Sequence, residues 1–395
     1  MSNAHQTNRM IQIEGGVIGP REPRPRTVKI KRLEDYPGTS KYHLEVLETY
    51  ANPLMGGGIP ICDESVALVE HMFTEEEASI MRHLKPGKKE TVASLAAAAH
   101  RAVEEVQKIL DVLADEKSII VSVELSGQKI YLALPILPGA FEYVLIRRSM
   151  DTLSDWHRRF CVLFERLYET GYAVETSGSI GVKYLPVGLT IASSPMAYPS
   201  DKLEEIFSRY DTFGVTLCQC RIAEEVVGRG CGKPKEVCIA MGPGAARFIQ
   251  KGRMRRIEMK EALEIKAEAE ANGLVSWIEA RDPKLGGSSC SCCGCCCHMM
   301  RRISEFNVPG RIAPPHFIPK IDYEKCNYCG KCALACPMGA VTVDIINKKY
   351  AYDPKRCVGC AQCAIACSKL KAIAMEAVPK YEEFLQNSTR SLLTL

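Results

Sequence analysis

Apolar positions recur at helical spacing through the first half of the chain. Leu153, Trp156, Phe160, Leu163, Phe164 and Leu167 follow the three-and-four step that turns one helix face toward a core. Val103, Val106, Leu110 and Leu113 do the same within "RAVEEVQKILDVLADEK", and "TVASLAAAAH" offers another helix just before it. "TEEEASIMRHL" opens with Thr74 and, three residues on, Glu77. That is a capping box, in which each side chain satisfies a backbone N–H near the other. "IIVSVEL" and "QKIYLAL", separated by "SG", read instead as two strands of a hairpin. Further on, "IEMKEALEIKAEAEANG" is rich in helix formers and stops at Asn272-Gly273, after which "LVSWI" is extended.

These patterns predict an α+β multidomain protein. Residues 1–66, with "GPREPRPR" and "NPLMGGGIP", read as an extended arm. Residues 67–147 hold three helices and the hairpin, and 148–217 a helical linker. A cysteine-rich α/β region follows at 218–313, then a compact domain at 314–378 and a tail at 379–395.

Composition sharpens this picture mainly through cysteine. A chain of 395 residues with 46% hydrophobic content can bury a substantial core. It has no apolar run approaching a membrane span, and "MSNAHQTNRMIQIEGG" lacks the features of a secretory signal. The cytosol is the expected setting. Disulfides are rare there, so twenty cysteines predict metal-bound thiolates or buried thiols. The net charge of +4 gives no sign of the concentrated basic surface that nucleic acid requires. Only Cys62 and Cys161 precede residue 218; they lack ligand spacing and are expected to be packing residues.

Cys326, Cys329, Cys332 and Cys336, followed by Pro337, form C-x2-C-x2-C-x3-C-P, and Cys357, Cys360, Cys363 and Cys367 repeat the spacing. Tight two-residue spacing lets one loop turn three thiolates toward one cluster. Residues 314–378 resemble the two-cluster bacterial ferredoxins. By that resemblance Cys326, Cys329, Cys332 and Cys367 hold one [4Fe–4S] cluster, and Cys357, Cys360, Cys363 and Cys336 hold a second. Ser368 stands where the family usually has proline, which implies an altered local environment with both clusters kept. Zinc knuckles also use C-x2-C pairs, and the doubled C-x3-C pattern argues against them here.

Ten cysteines lie between: Cys218, Cys220, Cys231, Cys238, Cys290, Cys292, Cys293, Cys295, Cys296 and Cys297. Eight would suffice for two further cubanes. Neighbouring side chains of an extended chain project to opposite sides, so at most about half of "CSCCGCCC" can face one centre. The run therefore bridges two centres or leaves free thiols. The order of "CQCR", "GCGKPKEVC", "CSCCGCCC" and the paired C-terminal motifs resembles a group of anaerobe iron–sulfur proteins described as ferredoxin-like or dicluster-domain proteins. The resemblance implies electron transfer and one or two further iron–sulfur clusters, with a non-cubane cluster or zinc as alternatives. His298 is a further candidate ligand. Lys251, Arg253, Arg255, Arg256, Arg301 and Arg302 are candidates to offset thiolate charge, or a solvated basic face.

Three helices and a hairpin at 67–147 resemble the winged helices of MarR-like and ArsR-like DNA-binding domains. Residues 91–117 carry three basic side chains against five acidic ones, which suits a major groove poorly. A docking module, or a plain packed bundle, fits better. No dinucleotide fingerprint, Walker loop or serine nucleophile motif stands out. "GPGAA" at 242–246 can start a helix but has no strand context for phosphate. The chain is thus expected to relay low-potential electrons between redox partner proteins, as a component of an oxidoreductase complex. The alternatives are an enzyme whose middle cluster reduces a small substrate, and a redox-sensing regulator.

Overall fold

The structure is a computed structural model that describes residues 8–53, 58–85, 87–125, 127–174, 182–279, 286–308, 312–379 and 381. The chain forms two compact units. One comprises residues 1–24, 179–221 and 230–395; the other comprises 25–178 and 222–229. Helix and strand are mixed throughout. No helix among the described residues is long and apolar enough to cross a membrane.

In the cysteine-rich unit, the C-terminal segment pairs Phe317–Ile321 with Ile373–Ala377. A hairpin of Val341–Asp344 and Lys349–Tyr352 lies between the short helices Lys331–Ala335 and Gln362–Ala366. The N-terminus completes this hairpin. Ile11–Glu14 and Val17–Pro20 turn at Gly15-Gly16, both at positive φ, and Ile18 pairs with Val343. The resulting sheet runs 11–14, 17–20, 341–344, 349–352. This corrects the expectation of a wholly extended arm at 1–66, as does the helix Lys41–Ala51 in the other unit. A Gly-Gly turn supplies the backbone a tight hairpin needs, and the apolar face of Ile11 and Ile18 is buried against Val341 and Val343.

The middle of the same unit is built on an antiparallel sheet ordered Gly287–Ser289, Glu236–Met241, Phe213–Leu217, Arg255–Ile257. Helix Met259–Ala271 follows it and ends at Asn272 and Gly273 (φ 71°), as the sequence predicts. Phe207, Phe213, Val215, Ile239, Met241 and Ile257 form its core. A second sheet orders Ser291–Cys292, Val275–Glu279, Val182–Tyr184. The segment 148–217, expected to be a helical linker, therefore also supplies strands to the cysteine-rich unit, Val182–Tyr184 and Phe213–Leu217.

The other unit keeps the predicted helices and hairpin. Thr74 accepts from the Glu77 amide at 3.2 Å, and Glu77 accepts from the Thr74 amide at 2.7 Å. Helices Val92–Ala99 and Val103–Asp111 precede strands Ile120–Leu125 and Gln128–Ala133, and Glu90–Thr91 adds a third strand beside the latter. Phe141, Phe160 and Phe164 stack at its centre, the last two from helix Asp155–Glu169. Cys62 and Cys161 are buried here, and burial pushes the Cys161 thiol up to about 12. The tail at 379–395 lies, apart from residues 379 and 381, outside the described residues.

Candidate metal centres

The C-terminal cysteines sit on loops that feed two short helices. In the first motif Tyr328 and Gly330 adopt positive φ, and in the second Gly359 and Ala361 do. These left-handed steps wind the loop so that backbone amides face sulfur. The Tyr328 amide donates to Cys326 Sγ at 3.4 Å, the Ala340 amide to Cys336 Sγ at 3.2 Å and the Gly359 amide to Cys357 Sγ at 3.4 Å. Such donors suit ligated thiolates and tune their potential. A Cβ on Gly359 would stand 2.5 Å from the Phe317 carbonyl oxygen, so this loop leaves no room for a side chain.

One small, largely apolar cavity is lined by Cys336 together with Cys357, Cys360 and Cys363. Cys332 in turn has Cys367, Cys326 and Cys329 as its charged-sulfur neighbours. Cys336 thus lies with Cys357, Cys360 and Cys363 around one cavity, and Cys332 neighbours Cys326, Cys329 and Cys367. Burial pushes the Cys332 thiol up to about 12 and the Cys357 thiol up to about 11, so thiolates at these positions call for a cation. The donor chemistry, the amide contacts and the cavity fit a pair of [4Fe–4S] clusters. Ser368, in place of proline, donates its amide to the Ile365 carbonyl at 3.1 Å, a bond proline would forfeit.

The ten middle cysteines fall into two groups. Cys231, Cys293, Cys295 and Cys296 direct four sulfurs to within 4.8 Å of one another. The other six neighbour one another in a closed ring, in the order Cys218, Cys220, Cys297, Cys292, Cys290, Cys238 and back to Cys218. Their neighbouring sulfurs shift Cys218, Cys290 and Cys297 down, Cys290 to about 5, and shift Cys220 and Cys238 up; Cys292 is shifted up chiefly by burial.

The run at 290–297 does divide half and half, but through a turn and not through the alternation of an extended chain. Residues 294–296 are turn, and the Cys297 amide donates to the Cys293 carbonyl at 3.2 Å. The turn swings Cys293, Cys295 and Cys296 to the group of four and leaves Cys290, Cys292 and Cys297 in the ring. Gly294 has no room for a side chain: a Cβ there would press into the Pro337 carbonyl. The middle cysteine run and the C-terminal motif therefore touch at Gly294 and Pro337. Cys292 and Cys297 share one buried core with Cys332, Cys336, Cys360 and Cys363.

Two of the basic residues named from the sequence pair with carboxylates. Arg255 pairs with Glu236 and Glu261 at the surface, and Arg301 pairs with Glu305 at 2.6 Å. Arg221, the last letter of "CQCR", is buried, donates to the Ser291 carbonyl at 2.6 Å and the Pro234 carbonyl at 2.8 Å, and faces Cys218, Cys293, Cys292 and Cys231. Lys266 is also buried and donates to the Ser289 carbonyl and Ser291 Oγ at 3.0 and 3.1 Å. Desolvation lowers its ammonium to about 8 against the pull of Cys290, Cys238 and Cys292. Trp277 donates its indole N–H to Cys292 Sγ at 2.9 Å. His298 is buried at the start of a helix and is not one of the four converging ligands.

Residues 314–370 match the family described as 4Fe-4S dicluster domain. No curated protein matches the chain, and no solved structure does. The C-terminal domain is thus of the class that binds [4Fe–4S] clusters. With the further cysteine groups, it supports a role for this chain in iron–sulfur electron transfer.

Proposed function

We propose that this protein relays low-potential electrons between redox partner proteins, with two [4Fe–4S] clusters at the C-terminus and a further iron–sulfur centre in the ring of six middle cysteines. The single observation that carries the reading is the shared buried core in which Cys292 and Cys297 of the ring lie with Cys332, Cys336, Cys360 and Cys363. Bound clusters would supply one-electron acceptance and release. The chain's own residues do the rest. Amides of Tyr328, Ala340 and Gly359 and the Trp277 indole hold sulfur lone pairs, which fixes the ligands and sets how readily charge is taken up. Arg221 and Lys266 offset charge on the ring, and the apolar lining of the Cys336 cavity keeps water from the second set of four.

In this reading the first cluster is held by Cys326, Cys329, Cys332 and Cys367, and the second by Cys357, Cys360, Cys363 and Cys336. Residues 67–147 are a winged-helix-like docking module for a redox partner in the cytosol. Its strand, two helices and hairpin, in that order, support the likeness. The test is a redox titration of full-length protein purified without oxygen. Cys329→Ala and Cys357→Ala should each abolish one wave and about four irons. Waves and iron unchanged in both variants would overturn the proposal.

A further inference from the structure

The group of four and the ring of six differ in a way that bears on what each can hold. In the group of four, Cys231 Sγ and Cys293 Sγ are 4.0 Å apart, Cys295 Sγ and Cys296 Sγ are 3.7 Å apart, and all four sulfurs lie within 4.8 Å of each other. A single ion bound tetrahedrally at about 2.3 Å by four thiolates sets sulfur–sulfur edges of about 3.8 Å. A cubane holds each thiolate on its own corner iron, outside the cube, and must spread the four sulfurs farther. The C-terminal sets show that spread: among the described residues, no three of their sulfurs converge as the group of four does.

From this geometry we infer that Cys231, Cys293, Cys295 and Cys296 hold one tetrahedral zinc ion and no iron–sulfur cluster. Three further observations agree. Cys293, Cys295 and Cys296 are 3%, 3% and 0% exposed, Cys231 is half-buried beside them, and four thiolates on one ion leave no coordination position for water or substrate. That is the habit of structural zinc, whose four protein ligands fill the coordination sphere. The buried Arg221 guanidinium faces Cys293 and Cys231, where it offsets the net −2 of one divalent ion with four thiolates. The ligands also come from two segments, 231 and 293–296, and three of them ride on the turn that meets Pro337. An ion there ties residue 231 to the turn at 294–296.

The inference goes beyond the electron-transfer reading and fails separately from it. Full-length protein from iron-supplemented cells, purified without oxygen, should carry one zinc per chain. Zinc-edge X-ray absorption of the unaltered protein should show four sulfur neighbours at about 2.3 Å. Cys296→Ala and Cys293→Ala should lose that zinc and keep the iron and sulfide of the unaltered protein. No zinc, zinc with a shell other than four sulfurs, or loss of about four irons with their sulfide in these variants would overturn the assignment while leaving the C-terminal clusters untouched. Should the variants fail to fold, the absorption spectrum of the unaltered protein decides alone.

Discussion

Replacing Gly294 with alanine adds one methyl at the point where the cysteine run meets the C-terminal domain. The backbone of Gly294 does not require glycine for its own conformation, since its φ lies outside the left-handed region. The cost is therefore steric. A Cβ at this position would stand 2.8 Å from the Pro337 carbonyl carbon and closer still to its oxygen. Carbon atoms pack best at about 3.5–4.0 Å, so the carbonyl has to retreat by about 1 Å. It has little freedom to do so: Asn8 Nδ2 donates to it at 2.8 Å, and Cys336 on its other side is a proposed cluster ligand. Gly294 is held too, with its own carbonyl accepting from Ser304 Oγ at 2.6 Å.

Overpacking of this kind costs about 1–3 kcal/mol, and a clash with tethered backbone belongs at the upper end. For a unit of this size about 3 kcal/mol corresponds to an apparent melting point lower by roughly 6–12 °C. Thermal melting of Gly294→Ala, followed by circular dichroism under anaerobic conditions, measures it. Gly188→Ala is the control. A methyl added at Gly188 would meet no neighbour within 4 Å, and the backbone there has no positive φ, so the melting point should stay within about 2 °C. A Gly294→Ala protein that melts with the control would refute the contact between the cysteine run and Pro337, and with it the physical link between the middle thiols and the dicluster domain.

Three other outcomes are expected. Thr74→Ala removes one half of a capping box and should cost about 1 kcal/mol in denaturant unfolding of the 25–178 unit; no change would mean that the cap is not formed. Asp201→Asn leaves the buried Lys183 ammonium without its carboxylate, 2.8 Å away, and strips His316 Nδ1 of a 2.6 Å partner. It should cost about 3–5 kcal/mol, and a variant as stable as the parent would show that Lys183 is neutral in the folded protein. His157 is held down to about 4, chiefly by burial and further by Arg148 and His71. The unfolded chain takes up a proton near pH 6.5 that the folded chain refuses, so this residue's contribution is present above pH 6.5 and is lost as pH falls toward 4. Unfolding midpoints at pH 7 and pH 5 should therefore differ less in His157→Gln than in the parent; equal differences would sink the assignment.

What was legible in the sequence was local. The capping box at Thr74, the helix stop at Asn272-Gly273, the hairpin of 120–133 and the two C-terminal motifs each depend on residues within a few positions of one another, and each is present. The N-terminal hairpin escaped notice although Gly15-Gly16 lies between alternating apolar residues, the ordinary sign of a tight turn. A two-stranded ribbon is marginal alone, and its stability comes from Val343 and Val341, more than three hundred residues away. The partition of the middle cysteines was legible in number but not in membership. A rule for extended chain limits how many can face one way, while the turn at 294–296 decides which. Charge compensation was legible only in part: Arg255 and Arg301, candidates from the sequence, pair with carboxylates, whereas the buried Arg221, next to Cys220, and Lys266, brought in by helix 259–271, face sulfur.

The family match ends where the local signature ends, at residues 314–370, but the physical body does not. The ligand loops of the dicluster domain are bonded outward at several points. Gln362, between Cys360 and Cys363, donates to the carbonyls of Glu270 and Leu274 at 3.1 and 3.0 Å. The Cys360 carbonyl itself accepts from the Val187 amide at 3.2 Å. Arg356, next to Cys357, donates to the Met338 carbonyl at 2.8 Å and the Ser304 carbonyl at 3.0 Å, and Ser304 in turn holds Gly294. Buried groups bonded in this way cannot be separated without leaving donors and acceptors unpaired, at about 1–3 kcal/mol each. A ferredoxin that shuttles between partners needs a self-sufficient surface. Here the second ligand loop instead directs its polar groups to residues 187–304, so the dicluster domain is fixed to the rest of its unit and does not stand as a separate body.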